Sequence, residues 1–176
     1  MTELARPVPD RIILSAPDNP VELRQLIPVD APAYFALIDF DRDHLSQFGD
    51  DTAAKYQTEM DVLESILHPS DPGKYRFGIW VNDTMVGSDN IRPQANGTAE
   101  LGSWVGSQFI GHNYAAYGRE LLIDFAFREL GVREVFSMIK LGNIASRKSV
   151  EKSGLRLRSE ANGVWVLALQ KAGYRG

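Results

Sequence analysis

Three strand-like runs in succession, followed by a loop and a long helix, constrain the fold of this chain more than any other feature. Residues 75–81 are rich in aromatic and β-branched side chains, 85–91 form a second apolar run, and 98–105 form a third strand-like run; the turn signals Asn82-Asp83 and Asn96-Gly97 separate them. Runs of this kind, joined by short turns, predict two consecutive hairpins and therefore three antiparallel strands.

The helix that follows has the most regular pattern in the sequence. Over residues 114–130 the apolar side chains recur on one stripe, Asp124 and Arg128 pair at i, i+4 on the outside, and Gly131 closes the pattern at the C′ position. Residues 133–139 then alternate as a strand. A long helix between two strands predicts a crossover, and hence a sheet that mixes antiparallel and parallel pairs.

Weaker patterns complete the order of elements. They predict an edge strand within 11–14, a strand at 21–27, a helix begun by Asp30, a helix at 52–67 with Asp51 as its N-cap, a helix at 143–153, and a closing hairpin of 155–158 and 164–170 turned at Asn162-Gly163. The predicted fold class is mixed α/β (α+β). We expect one domain, 21–176, after an N-terminal extension, 1–20, whose four prolines disfavour a continuous helix.

Charge and composition exclude several functions. The formal net charge of −4 argues against non-specific nucleic-acid binding, which needs a basic surface. The absence of cysteine excludes disulfides and a cysteine nucleophile, and the three histidines lack the spacing of a metal site. The first residues lack the apolar core of a signal peptide, and no run approaches the ~20 apolar residues that span a bilayer. We therefore expect a cytoplasmic protein without nucleic-acid or membrane partners.

The loop between the third strand and the long helix has the chemistry of an anion site. It reads Gln108-Phe109-Ile110-Gly111-His112-Asn113, and Gly111 and Asn113 are residue types that tolerate a positive φ. Successive amides at such a turn converge on an anion, and the following helix adds its positive dipole end. The main chain could hold a pyrophosphate there, or this could be an ordinary loop with a glycine. The P-loop and GxGxxG patterns are absent.

With its flanking strand and helix, this loop resembles motif A of the GNAT acetyltransferases, whose signature is Gln/Arg-x-x-Gly-x-Gly/Ala. Gln108 and Gly111 match, whereas Asn113 stands where the family has Gly or Ala. Four further segments resemble the RimJ/RimL-like branch of ribosomal-protein and related N-acetyltransferases: ELRQLIPVDAPAYFALI (22–38), DRDHLSQF (41–48), GSWVG (102–106) and NIASRKSVEKSGL (143–155). The likeness spans roughly residues 21–170.

That resemblance implies a fold, a reaction and a donor site. The fold would be a largely antiparallel sheet with helices on both faces, and the reaction the transfer of an acetyl group from acetyl-CoA to an amine. In the donor site, the backbone of Trp104 and Val105 would contact the pantetheine arm, and Asn143 and Ser146 would lie beside the thioester. Consecutive residues would wrap the pyrophosphate: Phe109, Ile110, Gly111, His112, Asn113, Tyr114 and Ala115.

Two residues are candidates for the proton transfers of amine acetylation. Glu100 is the candidate general base, because it shares a strand face with Trp104; an ion pair with a neighbouring cation is the alternative. The resemblance makes Ser146 the candidate proton donor to the CoA thiolate, the alternative being a helix-start residue that binds backbone. Tyr114 and Tyr117 could donate instead, although their place on the apolar stripe favours packing in the core.

Charge is unevenly distributed along the chain. Residues 39–64 hold eight Asp/Glu against two Lys/Arg, and residues 140–158 hold six Lys/Arg against one Glu. In the family's fold the first region borders the acceptor groove and the second lies near CoA. An acidic rim would attract a cationic amine, unless these are simply solvated helix faces.

The sequence leaves the acceptor open. It could be a primary amine of a small molecule, an antibiotic or a protein N-terminus. The acyl chain length and the choice between a monomer and a homodimer are equally open. The competing function is a non-catalytic acyl-CoA-binding sensor or scaffold module.

Overall fold

In the computed structural model, which describes residues 10–176, strands and helices follow each other largely in the predicted order. The strands are β1 (Ile13–Leu14), β2 (Glu22–Gln25), β3 (Tyr75–Val81), β4 (Thr84–Pro93), β5 (Thr98–Val105), β6 (Glu134–Lys140), β7 (Arg156–Ala161) and β8 (Val164–Gln170). The α-helices are α1 (Ala31–Phe40), α2 (Arg42–Ser46), α3 (Thr52–Lys55), α4 (Glu59–Leu67), α5 (Tyr114–Arg128) and α6 (Ile144–Lys152).

The described strands form one sheet in the order β1-β2-β3-β4-β5-β6-β8-β7. Neighbouring strands are antiparallel except β5 and β6, which are parallel and connected by α5. A parallel pair needs a crossover of this kind, because a short turn can only reverse the chain. The predicted mixed, largely antiparallel sheet is therefore confirmed.

Helices cover both faces of the sheet, as expected. On one face α5 and α6 pack over a core in which Phe77 and Phe127 are fully buried. On the other face α1 and α4 pack against each other around Ile38 and Val62. Burial of each such side chain contributes about 1.5–3 kcal/mol, so the sheet is held from both sides.

The prediction of one helix at 52–67 is wrong, because the helix is interrupted between α3 and α4 at residues 56–58. Asp51 precedes α3 without a side-chain capping bond. Thr58 caps α4 instead: its hydroxyl accepts a hydrogen bond from the Asp61 amide at 3.2 Å, and the Asp61 carboxylate accepts one from the Thr58 amide at 2.8 Å. This reciprocal arrangement satisfies the free amides of a new helix start, which apolar spacing alone does not reveal.

The closing hairpin turns at Asn162-Gly163, as predicted. Both residues have positive φ, 53° and 78°, which a two-residue turn of type I′ requires. β7 runs from Arg156 to Ala161 and is therefore longer than the predicted 155–158.

The N-terminal segment contributes to the sheet where it is described. β1 pairs with β2 in the register Ile13↔Arg24, and Arg11 forms an ion pair with the buried Asp30 at 2.9 Å. Residues 1–9, on which part of the predicted extension and the signal-peptide argument rest, lie outside the described residues, and the domain boundary at residue 21 stays a prediction. From residue 10 onward, the helices are all too short or too polar to span a membrane.

Candidate active site

β5 and β6 separate along their length. Their parallel pairing covers only residues 98–100 and 134–136, and the hydroxyl of Ser137 then donates to the Leu101 carbonyl at 3.2 Å. Beyond this point β5 is paired with β4 alone among the described strands, so its other edge carries main-chain groups that no described residue pairs. Trp104 and Val105, the residues expected to contact the pantetheine arm, lie at this opening.

The loop after β5 presents a row of unpaired amides. Gly111 has a φ of 94° and Asn113 a φ of 61°, both in the left-handed region that their residue types tolerate. Within residues 10–176, the N–H groups of residues 111–115 donate to no acceptor. The 15-residue helix α5 starts at Tyr114, directly behind this row. Five successive free donors at a helix N-terminus have the geometry of an anion site.

Two side chains that the sequence analysis missed hold this loop in place. The Asp41 carboxylate, 4% exposed, accepts hydrogen bonds from the Ser107 amide at 2.6 Å and from the Ser107 hydroxyl. On the other side, Lys152 of α6 donates to the side-chain oxygen of Asn113 at 2.9 Å, which places a cation beside the amide row. Asp41 and Ser107 are 66 positions apart in the sequence, which explains why no local pattern indicates this contact.

β4 and β5 approach each other closely beside the opening. A Cβ atom at Gly87 would lie 2.3 Å from the Trp104 carbonyl oxygen, and one at Gly102 would lie 2.7 Å from the Asn90 side chain. Neither position therefore accepts a larger residue unless its neighbour moves. The ring of Trp104 packs edge-on against Tyr34, with centroids 5.9 Å apart.

Glu100 and Ser146, the two candidate catalytic residues, form no hydrogen bond with each other in the part of the chain that the structure describes. The Glu100 side chain, 34% exposed, lies 3.9 Å from the Arg92 guanidinium, so the ion-pair alternative has structural support. Asn143 caps α6, because its side-chain oxygen accepts from the Ser146 amide at 3.2 Å. The Ser146 hydroxyl is partly exposed and bonds to no other group in residues 10–176, so it is available to a ligand.

The tyrosines divide between core and cavity. Tyr114 stacks on His112 at 5.1 Å, and both Tyr114 and Tyr117 pack against the core under α5, in line with the packing alternative. Tyr34 was not predicted as a site residue, because its apolar neighbours on α1 make it read as core. It is buried beside Trp104, and burial raises its pKa, so its hydroxyl keeps its proton.

A cavity of about 490 Å³ opens on the face covered by α1 and α4, and we call it the α1/α4 cavity. Trp104 and Tyr34 line it, so it reaches the opening beside β5. Acidic residues of the 39–64 region also line it, among them Asp50 and Glu64. Another cavity of similar volume lies beside Glu134, at the N-terminal ends of β5 and β6 and away from the amide row. The described residues contain no cluster of three or more His, Asp or Glu that could hold a metal.

A buried carboxylate lies on the opposite face of the sheet, under α5. Asp89 of β4 is fully buried against α5, and neither of its oxygens has a hydrogen-bond partner among residues 10–176. Burial raises the pKa of Asp89 to about 7, although Ser103 and the buried Arg119 nearby oppose the shift. Arg119 in turn donates to the Ser149 carbonyl of α6 at 3.0 Å and so connects α5 to α6.

Comparison with known proteins agrees with this geometry. A family model described as "Acetyltransferase (GNAT) domain" matches residues 21–156. A Bacillus subtilis (strain 168) protein named "Probable N-acetyltransferase YjcK" is 25% identical over 160 residues, which cover 82% of this chain and 88% of that protein.

Solved structures share the fold. RimL, a ribosomal L7/L12 alpha-N-protein acetyltransferase in complex with coenzyme A, superimposes with a TM-score of 0.79 at 18% identity, covering 90% of this chain and 98% of that one. Mycobacterium smegmatis RimJ in complex with CoA-disulfide gives a TM-score of 0.75 at 20% identity, covering 93% and 88%. These likenesses confirm the predicted fold.

Proposed function

The chain belongs to the GNAT acetyltransferase family, since the family model matches most of its length, and from that premise we propose which of its residues carry out the reaction. It is an acetyl-CoA-dependent N-acetyltransferase, which transfers an acetyl group to an amine. One observation carries the proposal for the donor site: the row of five unpaired amides at residues 111–115, placed beside the opening of β5.

We assign the CoA pyrophosphate to this amide row. Backbone donors at a helix N-terminus bind phosphate through hydrogen bonds and the positive dipole end, which contributes about 0.3–1 kcal/mol at an exposed site. Lys152, held at Asn113, adds a positive charge at the same place. The unpaired edge of β5 at Trp104 and Val105 supplies main-chain partners for the amide groups of pantetheine. The thioester would then lie between this edge and the start of α6.

We propose direct attack in a ternary complex. The amine nitrogen attacks the thioester carbonyl carbon, a C–N bond forms and the C–S bond breaks, so the products are the N-acetylated amine and CoA. One proton leaves the amine, and one proton reaches the CoA sulfur. No covalent enzyme intermediate is required, and the chain has no cysteine to form one. Holding both reactants at one opening can lower the barrier by up to about 7–11 kcal/mol.

The acceptor must lose a proton before it attacks. At pH 7 this costs about 1.4 kcal/mol for an α-amine with a pKa of ~8, and about 4.6 kcal/mol for a lysine amine with a pKa of ~10.4. We propose Glu100 as the base, acting through a chain of water molecules, because it lies four residues along β5 from Trp104 and beside Arg92. Ser146 is the proposed proton donor to the thiolate, and the buried hydroxyl of Tyr34, which lines the α1/α4 cavity, is the competing donor.

Turnover with a panel of primary amines tests this function. We expect CoA thiol release and an acetylated product in mass spectrometry for at least one amine. Glu100→Gln and Ser146→Ala should each lower kcat about 100-fold, the usual contribution of a positioned proton-transfer group, without changing the Kd of acetyl-CoA. Tight binding of acetyl-CoA without thiol release for any amine would instead favour the sensor or scaffold function.

The cytoplasmic location and the oligomeric state stay predictions. Fractionation of the cells that make the protein tests the first. Light scattering of the purified chain, with and without CoA, distinguishes a monomer from a homodimer.

A further inference from the structure

The floor of the α1/α4 cavity is built from rows of side chains that the strand register defines. Three rows of register partners cross the sheet here: Ser88 with Trp104, Arg76 with Asn90 and Gly102, and Arg92 with Glu100. Alternate residues of a strand point to the same face, so all three rows lie on the face that α1 and α4 cover, and their members except Glu100 line the cavity. Lys74 directly precedes β3 and lines the cavity as well, beside the row of Arg92.

In the described part of the chain, the hydrogen-bond partners of Arg76 on this floor are all uncharged. Its guanidinium donates at 3.1 Å to the Tyr56 hydroxyl and to the carbonyl and hydroxyl oxygens of Ser65, and it lies 5.9 Å and 5.8 Å from the rings of Tyr34 and Tyr56. Within residues 10–176 no carboxylate comes within 4.0 Å of it. A half-buried cation without a counter-ion is unfavourable, so an anion that enters the cavity gains a strong partner.

Lys74 is in the same situation. It is half-buried, and its ammonium group makes no ion pair in the described chain. Burial lowers the pKa of Lys74, and the positive charges of Arg92, Arg76 and Lys55 lower it further. Several cations therefore meet at one place. Among the residues that the structure describes, Arg92 alone of these has a carboxylate partner: Asp71 at 2.7 Å and, at 3.9 Å, Glu100.

We propose that the amine acceptor also carries an anionic group, a carboxylate or a phosphate, which Lys74 and Arg76 bind on the floor of the α1/α4 cavity. This inference rests on the proposed acyl transfer at the opening of β5. It adds a second charge to the expectation that an acidic rim attracts a cationic amine. The cavity combines carboxylates of α4 and the neighbouring loops, among them Glu64 and Asp50, with Lys74 and Arg76 at the start of β3, an arrangement that suits a zwitterion.

The register also sets the distance between the two charged ends of the acceptor. The row of Arg76 is two residues along the sheet from Trp104, and the row of Lys74 and Arg92 is four residues away. At about 3.3 Å per residue, these separations are ~7 Å and ~13 Å. An α-amino acid, whose ammonium and carboxylate groups are attached to the same carbon atom, is too short to reach. An extended peptide of two to four residues spans the distance.

Matched pairs of acceptors test the proposal. Calorimetric titrations in saturating CoA would compare peptides of one to four residues as free acids and as C-terminal amides, and an aminoalkyl phosphate with its amino alcohol. We expect the anionic acceptor of a pair to bind at least about ten-fold more tightly than its neutral counterpart, since this ratio corresponds to the free energy of one charge-assisted hydrogen bond. Among peptides the preference should appear at two to four residues. The phosphate pair shows which anion is preferred.

Variants locate the effect. Lys74→Met should remove most of the preference for the anion, Lys74→Arg should keep it, and Lys148→Met, which removes an exposed lysine outside the cavity, should leave it unchanged. The proposal would be overturned if the charged and neutral acceptors of a pair bound equally well. It would also be overturned if Lys74→Met kept the preference for the anionic acceptor. The affinity of each protein for CoA is measured first, which separates the anion site from the donor site. Failure of the wild type to bind CoA would count against the proposed function. The charged and neutral acceptors would then be compared without CoA.

Discussion

Gly111 holds the donor loop in a conformation that residues with a Cβ atom adopt only under strain. Its φ is 94°, and a Cβ built there would meet nothing within 4 Å. A substitution at this position therefore acts through the backbone and not through a clash. The neighbouring Asn113 also has a positive φ, at 61°, where asparagine is tolerated better than most residues. The departure from the Gly or Ala of the family motif thus leaves the loop geometry intact.

We predict that Gly111→Val weakens CoA binding about ten-fold. Leaving the left-handed region relieves roughly 1–2 kcal/mol of strain and turns the amides away from one another. Calorimetry with CoA measures the change. Gly163→Val is the matched control, since Gly163 has a φ of 78° and equally open surroundings in the β7–β8 turn. If both variants bound CoA like the wild type, the pyrophosphate would have to lie elsewhere.

Asp89 should make the stability of the fold depend on pH. Burial raises the pKa of Asp89 from 3.8 to about 7, so between these values the folded state keeps a proton that the unfolded state has lost. The stabilisation is therefore full below about pH 4 and falls as the pH rises to about 7, by an amount on the order of a few kcal/mol.

The substitution Asp89→Asn isolates this contribution, because asparagine does not titrate. Urea unfolding between pH 4 and 8 should show the wild type losing stability relative to the variant as the pH rises. Parallel profiles of the two proteins would mean that Asp89 is ionised in the folded state throughout this range.

At the scale of elements, α5 lies unusually close to β4. A Cβ at Gly118 would be 2.3 Å from a carboxylate oxygen of Asp89, so the helix can approach the strand only because this residue has no side chain. The approach also fixes the N-terminus of α5, and with it the amide row, relative to the opening of β5. Asp41 fixes the other end of the loop through Ser107.

We predict that Gly118→Ala destabilises the protein by about 1–3 kcal/mol, the usual cost of overpacking a close contact. The double variant Gly118→Ala/Asp89→Ala should be more stable than the sum of the single effects allows, because the clash is gone. Denaturation of all four proteins gives the coupling energy, expected at about 0.5–3 kcal/mol. Additive effects would show that the methyl group is accommodated without contacting Asp89.

At the scale of the whole molecule, β5 contributes to both the proposed donor site and the proposed acceptor site. Its end leads to the amide row at the start of α5, and its side toward α1 and α4 lines the cavity assigned to the acceptor. Trp104 belongs to both, through its main chain and its ring. Donor and acceptor therefore meet at one strand end, which is what direct transfer requires.

Patterns within short segments were sufficient to predict much of this arrangement. The Asn-Gly turns, the apolar stripe of α5 and the residue types at Gly111 and Asn113 each report on local backbone conformation. What the sequence could not indicate depends on contacts between distant segments. The Asp41–Ser107 bonds join two loops that are 66 positions apart, and the placement of Lys74 and Arg76 in the same cavity as Trp104 follows from strand register, which no local pattern defines. The roles of Glu100 and Ser146 stay predictions, because they depend on where the amine and the thioester bind.

The central claim is that the main-chain amides of residues 111–115 bind the pyrophosphate of CoA. Backbone amide NMR of the isotopically labelled protein tests it directly, with pantetheine, which lacks the pyrophosphate, as the matched ligand. We predict that CoA shifts the resonances of residues 111–115 more than any others and that pantetheine leaves them nearly unchanged. Saturation with CoA that leaves these five resonances in place would contradict the account.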